Sequence, residues 1–485
     1  MTDGRPDVAV VGSGPNGLAA AITMARAGLA VELHEAAPEV GGGLRSAALF
    51  RPDVRHDLCS TAHPMARASR FLREFDLAAR GVDLLVPELS YAHPLPGGRA
   101  GLAYRSLRRT CAELGPDGRR WRALMEPLLP HSRGLVDLML SGQRSLPADP
   151  VAALLLAARL PTVGTPLARH QFAGEQAPAL LAGVAAHAVG RLPSPTGAAV
   201  ALLLGHLAHG TGWPLVRGGS DRIARAMAAD LTAHGGRITT GRRVADLREL
   251  RGARAVLLDL GPTEFLRVAG ALLPERYRRA LRAFRYGPGA AKVDFLVSAP
   301  IPWADPRVGR AGTVHLGGTQ REVFRQETRV ARGLPGGRPF VLVVDPAVTD
   351  PGRAAGGARP VWAYAHVPNG DPTDPAELVT ASIERYAPGF ADTVIARQAR
   401  SAAALERYNP NYVGGDISAG ALTLRQSVLR PVPRWDPYRT ALPGVYLCSA
   451  ATPPGPGVHG MCGYLAARSA LRREFGLRRA PSLSP

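Results

Sequence analysis

A glycine triplet near the start of the chain constrains the fold most. From Val8 to Ala21 the sequence reads Val-Ala-Val-Val-Gly-Ser-Gly-Pro-Asn-Gly-Leu-Ala-Ala-Ala. The branched apolar run Val8 to Val11 predicts a buried parallel strand that breaks at Gly12. The order Gly12-x-Gly14-x-x-Gly17 supplies a tight turn, a close backbone approach and close packing of helix on strand. The free amides of the helix start, around Pro15 and Asn16, face an anion. An alanine-rich helix follows to about Ala27, Gly28 ends it, and Ala30 to Leu33 form a second strand. That strand delivers Glu35, a carboxylate placed to accept ribose hydroxyls. Strand, turn, helix, strand and acid in this order predict a βαβ dinucleotide site.

The next residues bear on which dinucleotide. A second cluster, Gly41, Gly42 and Gly43, is followed by Arg45 and Ser46. It resembles the glycine-doublet segment of flavoproteins, where backbone and arginine meet the pyrophosphate of FAD. The chemistry agrees, because consecutive glycines let main-chain amides approach a phosphate and Arg45 adds a forked cation.

A chain of 485 residues exceeds one ordinary core, so two domains are expected. The polar start, Met1 to Asp7, runs straight into the first strand and leaves no room for a signal peptide. The apolar runs Val151 to Leu160 and Ala198 to Leu204 fall short of a membrane span. Cys59, Cys111, Cys448 and Cys462 lack metal-ligand spacing and read as reduced thiols in a cytoplasm, so no metal site is expected. The formal charge of +20 would raise nucleic acid as a partner. The arginines, however, are spread along the chain with no basic tail, so no nucleic-acid partner is expected. Peripheral attraction to the anionic inner face of a membrane is the more useful reading, because it brings the protein to an apolar substrate. Lys292 is the only lysine in the sequence. A site that keeps lysine where every other basic position is arginine has use for its compact ammonium.

Taken in order, residues 50–63 read as a polar crossover, in which His56, Asp57 and His63 serve loop hydrogen bonding or approach a flavin. Residues 64–210 are mostly helical, with Met65 to Leu77 and Trp121 to Leu140 amphipathic and short strands between Leu84 and Tyr104. A helix from Ser220 onward, strands near Gly235 to Val244 and a buried strand Ala255 to Leu260 rejoin the nucleotide domain. Strand alternation from Lys292, then Thr313 to Gly317, Pro339 to Val344 and Pro360 to Val367, suggests an antiparallel sheet, with a helix from Pro375 to Tyr386. Finally, Gly444 to Ala467 gives a strand, a glycine-rich turn and a helix of small residues. Gly455-x-Gly457-x-x-Gly460 matches the dinucleotide pattern literally, but Pro453 and Pro454 intervene and no second acid-bearing strand follows. It is discounted as a second nucleotide site.

Together these residues resemble the FAD-dependent phytoene desaturase and carotenoid or retinoid oxidoreductase family, in its bacterial branch. The resemblance is specific at Gly12 to Gly17 with Glu35, at Gly41 to Ser46, at Phe284 to Trp303 and from Gly414 through Ala467. It implies an α/β, two-domain FAD-linked oxidoreductase. The Rossmann-like FAD-binding domain would comprise residues 1–63, 212–290 and 410–485. An inserted substrate domain of antiparallel sheet and helices would comprise 64–211 and 291–409. It implies that Gly12, Gly14, Pro15, Asn16, Gly17, Glu35, Gly42, Gly43 and Arg45 hold the adenosine and pyrophosphate, and that Val244 meets the adenine. Thr452, Gly457, Val458, His459 and Met461 would hold the ribityl and isoalloxazine portions. Lys292 resembles the lysine of amine oxidases whose ammonium faces the flavin through water. The chain departs from many flavoproteins in having Ser449-Ala450 where an acid contacts the ribityl chain, which weakens an amine-oxidase reading more than a desaturase one.

The expected activity is hydride transfer between flavin and an apolar, polyene or isoprenoid-like substrate, with oxygen or a quinone as electron acceptor. Lys292 is the expected catalytic group, with His459 as the candidate base. The alternatives are a redox-neutral isomerase or saturase, and a non-catalytic binding protein of flavoprotein ancestry such as the Rab GDP-dissociation inhibitors.

Overall fold

The computed structural model describes residues 5–142 and 146–485; the leading residues 1–4 of the polar start lie outside it. Two sheets organise the chain. The first has five strands in the order 445–447, 255–258, 8–11, 31–34, 237–239, and every pairing in it is parallel. Its side chains alternate between two covered faces. Val8 and Val10 pack with the helices Pro15–Ala25, Asp221–Ala233 and Met461–Glu474. Ala9 and Val11 pack with the helices Pro262–Ala269 and Glu275–Arg282. Coverage on both sides is what turns a parallel strand into a continuous apolar run.

The first and last helices cross closely. A Cβ on Gly463 would lie 1.8 Å from the Asn16 carbonyl oxygen, so only glycine permits the approach.

The second sheet has seven strands, in the order 394–400, 289–297, 359–367, 341–344, 314–316, 89–95, 99–104. The sequence suggests an antiparallel sheet; the structure makes it mixed, because Val314 pairs with Ala92 in parallel while the other ladders are antiparallel. That parallel pairing, with a second parallel bridge between Leu89 and Ala311, joins the hairpin 89–104 to strands far along the sequence. In strand Gly289–Val297, Ala291, Val293, Phe295 and Val297 face a core shared with the helix Ala376–Glu384. Ala290 belongs to the opposite face, with Leu342, Trp362 and Tyr364. Lys292 therefore lies on that second face by strand alternation. The helices Pro150–Gly164, Gln176–Ala185 and Pro195–His209 cover it.

Two elements differ from the sequence reading. The crossover 50–63 contains half of a hairpin, in which Ser46–Ala48 pairs with Arg55–Asp57. Strand Val394–Arg400 is an edge strand whose exposed residues, Ile395, Arg397 and Gln398, mix apolar with polar, so it carries no clean apolar alternation to read.

Candidate functional site

One cavity of about 1010 Å³ runs from the C-terminal edge of the parallel sheet to the helix-covered face of the mixed sheet. Ligands in open α/β folds bind at that strand edge. The volume reaches the top of the usual range for ligand sites, roughly 300–1,000 Å³.

At the nucleotide end the wall is made by Gly12, Gly14, Pro15, Asn16, Glu35, Gly42, Gly43, Arg45 and Val244. The helix Pro15–Ala25 points its unpaired amides into this region. Gly17 is set behind the wall: a Cβ there would meet the Gly12 carbonyl oxygen at 2.0 Å. A Cβ on Gly14 would lie 2.7 Å from Asp259 Oδ2. Asn16 is buried, and its Oδ1 has no partner. Glu35 accepts from Ser13 N at 2.8 Å and Ser13 Oγ at 2.6 Å through Oε2, and from Ala37 N at 2.8 Å through Oε1. Its carboxylate is thereby fixed, with capacity left for further donors. Arg45 donates from Nε to Gly42 O at 3.1 Å and lies 4.5 Å over the Tyr408 ring. A glycine cradle, an orphaned buried amide oxygen and a preset carboxylate fit a dinucleotide.

At the junction of the two sheets, Gly457 and Val458 reach the cavity, and so does Lys292. The side chain of Lys292 is 3% exposed and paired with Asp294, and its ammonium lies 5.6 Å from the Trp362 ring centroid. Burial pulls Lys292 below the ordinary lysine range, against the pull of Asp294, and pushes Asp294 up.

The remaining predicted residues sit behind the wall. Thr452 is buried and donates from Oγ1 to Ser449 O at 2.8 Å. Met461 packs into the core beside the parallel sheet. His459 is fully buried, with Nε2 3.1 Å from Gly455 O and Nδ1 accepting from Met461 N at 3.0 Å. Burial brings its pKa down to about 4. Both ring nitrogens are committed to holding the 455–461 turn, so the geometry gives His459 a structural task rather than that of a base on substrate.

The far lobe is apolar. Leu156, Leu160, Leu203, Leu204, Leu342, Trp213, Trp362 and Tyr364 line it. The acids on the cavity wall, among the described residues, are Glu35, Asp259 and Glu264, all near the nucleotide end.

Three features emerge fully only in the fold, although Asp57 is already named in the sequence for loop hydrogen bonding. His187 lines the apolar lobe, and its Nε2 is 2.9 Å from Nε2 of His315. Burial holds His187 down near about 3. Asp57 accepts from Ser46 Oγ at 2.6 Å, Thr61 Oγ1 at 2.7 Å, Ser220 N at 2.9 Å and Arg353 at 3.2 Å. It ties three distant segments beneath the cavity. Asp259 follows the strand Ala255–Leu258 and stands beside the glycine loop. Of the other two, only Asp259 had a usable signal, being the polar residue at the C-terminal end of a buried parallel strand.

Comparison with known proteins agrees with this architecture. Residues 10–75 match the NAD(P)-binding Rossmann-like domain family. The chain is 29% identical over 299 residues to pyridine nucleotide-disulfide oxidoreductase domain-containing protein 2 of Rattus norvegicus. That match covers 54% of this chain and 51% of the rat protein, so the chain spans about half the length of the relative it matches. Among solved structures, an oxidoreductase from Methanosarcina mazei superposes with a TM-score of 0.61 at 16% identity, covering 96% of this chain and 100% of that one. Wild-type putrescine oxidase bound to putrescine superposes with a TM-score of 0.57 at 17% identity, covering 96% and 98%. The chain thus has the α/β fold of these oxidoreductases, a Rossmann-like parallel-sheet domain joined to a separate mixed sheet.

Proposed function

We propose that this chain is an FAD-dependent oxidoreductase of the desaturase or dehydrogenase type, acting on a CH–CH group of an apolar, polyene or isoprenoid-like substrate. One observation carries the reading: a single cavity joins the dinucleotide cradle to an apolar lobe, with Lys292 at the junction. Bound FAD supplies a two-electron acceptor for hydride leaving carbon. The chain's own residues do the rest. The amides around Gly14 and Asn16, with Arg45, hold the pyrophosphate, Glu35 takes the ribose hydroxyls, and Val244 meets the adenine. Gly457 and Val458 shape the wall beside the ring system.

The apolar lobe selects the substrate. Each methylene that leaves water for it contributes about 0.8 kcal/mol. With the wall acids confined to the nucleotide end, a neutral hydrocarbon suits the lobe better than an alkylammonium. His187 lines the lobe as an imidazole that burial keeps neutral, its Nε2 2.9 Å from Nε2 of His315, and serves there as a hydrogen-bonding group that carries no charge against an apolar substrate.

Exposed leucines border the lobe. Leu154 is 70% exposed and Leu167 61% exposed on or next to the helix 150–164, and Leu424 is 65% exposed. Leu156, Leu160 and Leu424 also line the cavity. We place this rim against an anionic membrane, which delivers the substrate; the electron acceptor in this reading is oxygen or a quinone. Among the described residues, no helix is long and apolar enough to cross a membrane.

The absorption spectrum of the purified protein, followed by release of its chromophore, tests the reading. Flavin bands and released FAD are expected, and polyenes in detergent should then bleach the flavin anaerobically. A colourless protein that refuses added FAD overturns it in favour of a non-catalytic binder. FAD that no apolar polyene reduces or is altered by overturns the substrate class.

A further inference from the structure

We infer that Asp259 contacts the dinucleotide pyrophosphate in its protonated form, so that uptake of the cofactor takes up one proton. This rests on the reading that the Gly12–Gly17 loop holds FAD.

The placement of Asp259 leaves its carboxyl little choice. Its backbone is the continuation of the central strand pairing, with Asp259 N donating to Val11 O at 2.8 Å. Asn411 pins the same peptide from the other side, donating from Nδ2 to Asp259 O at 2.9 Å and accepting from Gly261 N at 2.8 Å. The side chain then reaches the glycine loop, where Oδ2 accepts from Gly17 N at 3.0 Å. Asp259 is part of the cavity wall in the region of Gly14 and Asn16. A helix start that binds an anion is thus already shared with an internal carboxyl group.

The surroundings disfavour a charge on that group. Among the described residues no lysine, arginine or histidine forms an ion pair with it. Glu35, from the end of the adjacent strand 31–34, adds a like charge. Cys448, after strand 445–447, and Cys462, on the helix 461–474, present thiols that burial keeps protonated. The helix Pro15–Ala25 brings amides and Asn16 but no titratable side chain. Burial raises Asp259 to about 7, with the Gly17 amide pulling the other way and Glu35 adding to the rise.

A pyrophosphate in the loop would face an ionised Asp259 at close range in a dry site. Protonation removes the repulsion and adds a donor: one oxygen continues to accept from Gly17 N while the other donates O–H to a phosphate oxygen. The bound anion raises the carboxyl pKa further, so affinity is greatest below the pKa of the free protein. It falls as pH rises through it, approaching tenfold per pH unit. A group that only capped the helix would show neither effect.

Isothermal titration of FAD into the flavin-free full chain, between about pH 6 and about pH 8.5 and in buffers of different ionisation enthalpy, reads both affinity and protons. The expected result is uptake approaching one proton per FAD above neutrality and a matching loss of affinity. Asp259→Asn should bind FAD with no pH slope and no proton uptake. PH-independent binding by the natural chain, or an unchanged slope in Asp259→Asn, overturns the inference. The proton count of the natural chain decides the question even if the variant fails to fold. Failure to bind FAD at any pH overturns instead the FAD reading, and the inference with it.

Discussion

Lys292 and Asp294 form an ion pair along one face of strand Gly289–Val297, closed to water with side chains 3% and 2% exposed. His56 lies close, its Nδ1 3.9 Å from Asp294 Oδ1. The only lysine of the chain is thus held by a partner two residues away, at the point where cradle and apolar lobe meet.

Removing one member of this pair should destabilise the fold more than removing both. Lys292→Met leaves a buried carboxylate, at an expected cost of about 3–5 kcal/mol, whereas Lys292→Met with Asp294→Leu should recover much of it. Urea denaturation of the two variants checks the order. FAD content should remain that of the natural protein in the double variant, because neither residue touches the nucleotide end.

Two glycines should separate binding from folding. Gly14→Ala drives a methyl against the fixed carboxyl of Asp259, 2.7 Å from the ideal Cβ. FAD affinity should fall at least tenfold, about 1.4 kcal/mol, with a small change in melting temperature. Gly463→Ala meets the Asn16 backbone oxygen at 1.8 Å and should lower the melting temperature sharply. Flavin fluorescence titration and thermal melts distinguish the two.

Acid should unfold the protein early. Burial lowers His56 to about 3 and His63, His93, His206 and His209 to about 4. The unfolded chain takes up these protons nearer pH 6.5, so stability falls as pH falls from there toward the folded values, by ~1.4 kcal/mol per pH unit for each imidazole. For Asp57, burial alone would raise the carboxyl, but Arg353 and its hydrogen bonds bring it to about 2. Its contribution is present above the ordinary carboxylate range and is lost as pH falls through about 2. Asp259, Asp294, Asp345 and Asp416 act in the opposite sense, weakening the fold as pH rises through their raised values. Urea midpoints measured from about pH 7.5 to about pH 4.5 should drop steeply, because the histidines outnumber the opposing acids. A flat profile would contradict their burial as neutral groups.

The apolar rim should carry membrane contact. Leu154→Glu with Leu424→Glu replaces two exposed leucines by carboxylates. Cosedimentation with phosphatidylglycerol vesicles should fall several-fold relative to the natural chain, while the FAD content is unchanged. Equal sedimentation would assign the rim another role.

The nucleotide half of the site was readable because its chemistry is local. Gly12, Gly14, Gly17 and Glu35 lie within one βαβ unit, and the geometry of that unit fixes their spacing. Lys292 was readable by rarity, although its partner Asp294 was not singled out. Asp259, His187 and Asp57 act across long sequence separations. Asp259 meets Gly17, and Asp57 meets Ser220 and Arg353, only once the strands are in order. His459 misled for a related reason: a histidine beside a glycine-rich turn looks available until the turn's own carbonyl and amide are seen to occupy both nitrogens. The mixed sheet depended on parallel contacts, Val314 with Ala92 and Leu89 with Ala311, that no local pattern encodes.

The order of the parallel sheet also bears on biosynthesis. Strand 8–11 leaves the ribosome first, but its neighbour 255–258 and then 445–447 come far later, and the helix that closes over Asn16 begins only at Met461. Such long-range pairings are slow to form. A chain halted before Gly463 would carry the whole phosphate loop yet lack the helix that backs it. Acquisition of cofactor colour would then report synthesis past the helix 461–474, and products halted before it would stay colourless and open to proteolysis.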